Sequence, residues 1–198
     1  MTTSIGKIIK SNSHIDYVCQ VYGPGETAKP PLPEEHALGA WVQMPAGSQE
    51  DSHAVGVIYD TQLYNPDYGT FGPRLSNPAQ LEVFSPDYLN ETATLLGVLI
   101  IGQTRGGARA TSGYCPVAPS IGAEVRQMQA EQVRRFHLGE SGLELGYYSL
   151  LASIQVPIMN PLLLSLLDSL ELLLPEHSRT IGALRTNLSW RTRVELAR

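Results

Sequence analysis

The chain has 198 residues, of which 42% are apolar and 17% charged, enough for a packed core in one full domain or in a small domain with an appendage. So low a charge leaves more neutral surface than usual and favours a protein that lives in a complex. The net charge of −5 is unevenly placed: residues 1–99 hold four cations against eleven carboxylates, and residues 100–198 hold ten arginines against eight, so the first half has the wrong sign for a phosphate backbone.

Through the first hundred residues, short stretches rich in Val, Ile, Tyr and Trp recur between breaks of Gly, Pro, Asn and Asp. Ser4–Lys10, Asp16–Tyr22, Leu38–Met44, Ala54–Tyr59 and Thr94–Gln103 each read as a strand. In the second, Tyr17, Cys19 and Val21 face one way and Asp16, Val18, Gln20 and Tyr22 the other. Thr94–Gln103 is apolar on both faces and is the expected most buried strand. Tyr64–Pro86 carries prolines at 66, 73, 78 and 86, and structureless loops of that length are uncommon inside a domain. An excursion with one short strand near Leu81–Phe84 is expected there, with Tyr64, Tyr68 and Phe71 as a contact surface.

Gly106–Ser120 is rich in Gly, Ser and Pro and reads as a boundary. From Gly122 the period changes: Val125, Met128, Gln132–Val133 and Phe136 fit one side of a helix ending at Gly139. Leu145–Val156 suits a strand or a short helix. Asn160-Pro161 is a helix start, with a capping Asn and Pro at the first helical position, and nine of the thirteen residues from Leu162 to Leu174 are leucine. Pro175 ends that helix, and a final one is expected over Ser178–Val194 with Ile181, Leu184 and Leu188 on one side. The expected fold is α+β: an N-terminal antiparallel β-barrel over residues 1–105, a connector over 106–121 and a C-terminal helical region over 122–198. The leucine run is interrupted by Asp168 and Glu171 and is too short to span a bilayer. Met1–Gly6 lacks the basic and apolar regions of a signal peptide, so a cytoplasmic location is expected.

Motifs for chemistry are weak. Gly102–Arg109 has the glycine spacing of a phosphate loop, but Ala108 and Arg109 stand where lysine and a hydroxyl are needed. Gly23–Ala28 matches a dinucleotide fingerprint, but prolines at 24, 30, 31 and 33 forbid the helix that has to follow. The histidines at 14, 36, 53, 137 and 177 show no paired metal spacing, and Gly139–Gly142 is one residue short of a nucleophile elbow. Cys19 and Cys115 form no CxxC pair and read as buried free thiols. No catalytic, cofactor or metal-binding residue is assigned.

The order of elements resembles the barrel shared by HerA-type DNA-translocating ATPases and rotary ATP synthase subunits, the HAS barrel. The resemblance rests on Ser4-Ile-Gly-Lys-Ile-Ile, Gly39-Ala-Trp-Val, Ala54-Val-Gly-Val-Ile and Leu95-Leu-Gly-Val-Leu, followed by Pro116-Val-Ala-Pro-Ser-Ile-Gly-Ala-Glu-Val-Arg. It covers roughly residues 4–130 and implies a barrel used as a collar for ring contacts and partner docking. The phosphate loop that follows in that family is absent here, since Val156-Pro-Ile-Met-Asn-Pro runs into the leucine helix.

The expected function is a non-enzymatic interaction module that docks a protein partner or forms a homo-oligomer. The leucine helix is either internal core or an interface presenting Leu163, Leu166, Leu167, Leu170 and Leu174. Two alternatives stand beside it: an enzyme with a site assembled near residues 64–71, and a nucleic-acid accessory factor working through Arg105, Arg109, Arg126, Arg134 and Arg135.

Overall fold

The computed structural model describes residues 2–65, 93–106, 110–140 and 142–196, with side chains described up to residue 190. The main sheet is antiparallel and contains β1 (Ser4–Ser11), β2 (Asp16–Val21), β3 (Trp41–Pro45), β4 (Ser52–Tyr64), β5 (Ala93–Arg105), β6 (Thr111–Ser112) and β7 (Glu124–Gln127). Strand order is β2-β1-β7-β3-β4-β5, and β5 pairs back onto β2. Six strands therefore close a barrel, which leaves no open edge to the ring. The two-residue β6 adds to β5 at Gly102 and Gln103, beyond the stretch that β5 shares with β2.

Alternation sorts the side chains. Tyr17 and Cys19 of β2 point into the barrel beside Ile5 and Ile8 of β1, Val42 and Met44 of β3, and Leu96, Val98 and Ile100 of β5. The opposite face of β3, β4 and β5 carries Trp41, Val55, Val57, Leu99 and Ile101, and it too is buried. What covers it is the helical region, so β5 has core on both sides, as its uninterrupted apolar run requires.

That region contains α1 (Ala130–His137), the small hairpin β8 (Leu138–Gly139) and β9 (Gly142–Leu143), then α2 (Tyr148–Ser153), α3 (Met159–Leu173) and α4 (Ser178–Leu196). Leu145–Val156, open between strand and helix on sequence, contains the short helix α2. The expected helix from Gly122 is corrected: Glu124–Gln127 is the strand β7, paired with β1 on one side and β3 on the other. Val125 and Met128 are three apart, which suits a helical stripe, but barrel closure puts Val125 inside and leaves Arg126 outside. The barrel thus continues across the connector to residue 127. The Asn160 cap is also corrected. α3 begins at Met159 with no side-chain cap, so Asn160 and Pro161 lie within the first turn, where a missing N–H costs nothing.

The five leucines offered as an interface are core. Leu163, Leu166, Leu167, Leu170 and Leu174 are each at most 2% exposed and belong to the layer between the helices and the outer barrel face. A helix apolar around most of its circumference needs cover on several sides, and the barrel, α2 and α4 supply it within the chain. Arg185 of α4 ties the hairpin from outside, reaching Asp168 at 2.9 Å and Glu171 at 2.7 Å. Among the described residues no helix is long and apolar enough to cross a membrane.

Candidate functional site

The β4–β5 base, the β3–β4 turn and the β1–β2 turn meet at one end of the barrel. Across that end runs the segment from Gly113 to Ala123, which links β6 to β7. It has little regular structure, yet the body holds it at several points. Gly113 N donates to Ile101 O at 2.8 Å, and His14 Nε2 donates to Cys115 O at 2.8 Å. A carbonyl only accepts, so His14 carries its proton on Nε2 in this contact. Gly122 N donates to Ile8 O at 2.8 Å, and Ile8 N returns a bond to Ala123 O at 2.9 Å.

Two residues of the segment point inward. Cys115 is 2% exposed, with its thiol donating to Val117 O at 3.1 Å, and Pro119 is buried as well. Between these anchors Tyr114, Val117 and Ile121 point out, at 61%, 44% and 80% exposure. Ile121 sits on a turn closed by Ala123 N to Ser120 O at 3.0 Å, with Gly122 at φ 80° in the third position. That is the position where a type II turn needs a positive φ, and glycine supplies it without strain. Three large apolar side chains are thereby displayed on a backbone whose ordering cost is already met by folding.

Burial pushes the Cys115 thiol up, against the pull of its bond to Val117, which suits a packing role rather than a nucleophile.

The other proposed residues fall elsewhere. Tyr64 is 54% exposed at the end of β4, opposite Ala93, with Leu63 beside it. Tyr68, Phe71 and the Leu81–Phe84 strand lie outside the described residues, as does most of the enzyme alternative at residues 64–71. Among the described residues, Arg105, Arg126, Arg134 and Arg135 do not gather into one free surface. Arg126 Nε binds Glu124 at 2.9 Å, Arg134 binds Glu176 at 2.9 Å and also Leu173 O, and Arg109 lies outside the described residues. Arg105 and Arg135 line a cleft between the barrel and α1.

Gly102–Arg105 is the end of β5, and the next described segment pairs back onto it as β6 rather than opening a helix. Gly23–Ala28 is a loop in which the Glu26 carboxylate accepts from Gly23 N at 2.9 Å and pairs with Lys7 at 2.9 Å. The 113–123 segment was missed on sequence because Gly and Pro content reads as a flexible connector. Its one sequence signal is the alternation of Tyr114, Val117 and Ile121 with Cys115 and Pro119.

A family model described as "Domain of unknown function (DUF8166)" matches residues 1–197, so the chain belongs to that family. No curated protein matches it.

Proposed function

We propose that this DUF8166 protein is an interaction and assembly module whose barrel end docks another protein chain, either a second copy or a different partner. The observation that carries the reading is the pinned display of Tyr114, Val117 and Ile121 at that end. Single exposed apolar residues are ordinary, but a tethered group of three on a loop is the form a binding anchor takes. A rigid loop also loses little entropy on contact. The closed antiparallel barrel is the architecture that the HAS resemblance implies, and a collar role agrees with three apolar side chains exposed at a barrel end.

Light scattering across a concentration series, combined with pull-down from native lysate, tests the proposal on wild type and Ile121→Asp. Ile121 is 80% exposed, so the substituted protein is expected to keep its fold and its near-UV spectrum. Loss of self-association or of partner capture in the variant is the expected result. A wild-type monomer at every concentration that also captures nothing overturns the reading.

A further inference from the structure

We propose that Tyr59 and His14 are positioning residues for the docking end. Tyr59 braces the β1–β2 turn from the outer barrel face, and His14 passes that brace to the segment displaying Tyr114, Val117 and Ile121. The inference rests on the docking reading and adds what keeps the display in place.

The brace begins on β4. Tyr59 packs against the core layer shared by the outer barrel face and the helices. Its ring lies over Gly97 of β5, where an added Cβ would come within 2.7 Å of Tyr59 Cε1. A side chain at 97 would fill the space that the ring occupies, so glycine there lets the ring cross the strand. In the closed sheet β5 stands between β4 and β2. The phenol therefore reaches the start of β2, where its hydroxyl donates to Asp16 Oδ1 at 3.0 Å. The other carboxyl oxygen of Asp16 accepts from Asn12 Nδ2 at 3.1 Å. Asp16 O accepts from Asn12 N at 2.8 Å, and Ile15 O accepts from Ile100 N at 2.7 Å.

The turn closed by these bonds contains His14, and its Nε2 donates to Cys115 O at 2.8 Å. Cys115 follows Tyr114 and stands two residues before Val117, so the anchored carbonyl lies between two of the three displayed side chains. Backbone bonds at Gly113 and at Gly122–Ala123 fix the two ends of the segment, and His14 fixes a point between them. Without that point the ends still hold, but the chain between them regains backbone freedom that a partner has to remove on docking. His14 is itself exposed, so its imidazole serves the geometry of the segment rather than the core.

The test is hydrogen exchange on the full chain, together with photocrosslinking from a benzophenone amino acid at position 121. Both are measured in the otherwise unsubstituted protein and in His14→Ala, His14→Gln and Tyr59→Phe. Glutamine carries an amide N–H the same number of bonds from the backbone as the imidazole Nε2, so it restores the donor without the ring. His14→Ala should speed exchange of the Gly113 amide about fivefold and lower the adduct yield at limiting concentration by about the same factor. Tyr59→Phe, which keeps the ring, should do both about threefold. His14→Gln should return both to the unsubstituted values. Unchanged exchange in His14→Ala overturns the proposal, and so does faster exchange with an undiminished yield. A loss that glutamine does not restore, or a Tyr59→Phe protein that behaves as the unsubstituted one, also overturns it. No adduct from the unsubstituted protein removes the docking reading and this inference together, whereas an adduct indifferent to His14 removes this inference alone.

Discussion

The Tyr147 hydroxyl donates to His137 Nε2 at 2.9 Å, and His137 Nδ1 donates to Val133 O at 2.7 Å. This pair joins the end of α1 to the segment entering α2 at the seam between barrel and helices. The carbonyl can only accept, so the imidazole is neutral with its proton on Nδ1, and Nε2 has to accept. Trp41 meets the imidazole edge-on at 4.8 Å, and Phe136 does so at 4.9 Å. His137 has no exposure, and burial lowers its pKa from 6.5 to about 4 despite the opposing bond to Val133.

Acid should therefore loosen this seam. Between pH 6.5 and about 4 the unfolded chain takes a proton on residue 137 that the folded chain refuses. Stability contributed by the neutral imidazole is complete above pH 6.5 and is lost as pH falls through this window, by roughly 3 kcal/mol in total. Urea midpoints measured from pH 7.5 to 4.5 check it, and His137→Leu should flatten that part of the profile. An unchanged slope in the variant would remove the imidazole from the account.

Tyr147→Phe leaves the ring stack and deletes the hydroxyl, so Nε2 is left buried without a donor. The expected cost is about 1–3 kcal/mol, read from denaturant unfolding at pH 7.5. A change below about 0.5 kcal/mol would mean that the bond carries no net stability.

Leu166→Ala and Leu170→Ala should each destabilise the chain by about 2–5 kcal/mol, the usual cost of a cavity in a closed core. Neither should alter the sedimentation coefficient of the folded protein. A dissociated oligomer with unchanged unfolding would return these leucines to an interface.

Two glycines separate close approach from turn geometry. A Cβ on Gly102 would collide with the Thr111 carbonyl and lie 2.7 Å from Phe136 Cζ, whereas Gly122, at φ 80°, faces open space. Gly102→Ala wedges β6 and α1 apart and should cost about 1–3 kcal/mol, while Gly122→Ala should cost roughly 1 kcal/mol for its left-handed backbone. Thermal unfolding gives both, and the reverse order would contradict the packing at Gly102.

Both cysteines should resist a thiol reagent until the chain unfolds. Burial pushes the Cys19 thiol up to about 12, and the Cys115 thiol is also raised, so little thiolate is present at neutral pH. Labelling of either residue faster than global unfolding would contradict this.

The barrel strands were legible because a strand with core on one or both faces leaves a period of two or a continuous apolar run. Tyr17, Cys19 and Val21 illustrate the first case, and Leu96–Ile101 the second. β7 was illegible for a physical reason. Four residues cannot distinguish period two from period 3.6, and Val125 takes its strand geometry from β1 and β3, which lie far away in sequence. The leucine helix was legible as a helix, but which surface covers it depends on the outer face of β3–β5, and that face is defined only once the barrel closes. His137 carried a signal that went unused: Val133, Phe136 and His137 fall at i, i+3 and i+4, placing the imidazole on the buried side of α1. The exposure of Tyr114, Val117 and Ile121 is a product of tertiary hydrogen bonds, to Ile8, His14 and Ile101, which local composition does not record.

Photocrosslinking from residue 121 tests the docking claim most directly. A benzophenone amino acid replaces Ile121, with Gln62, an exposed polar position on β4, as the control site. The account predicts a discrete covalent adduct with a protein chain from position 121, whether a second copy or a partner, and none from position 62. Equal yields from the two positions, or no adduct from either at native concentration, would contradict it.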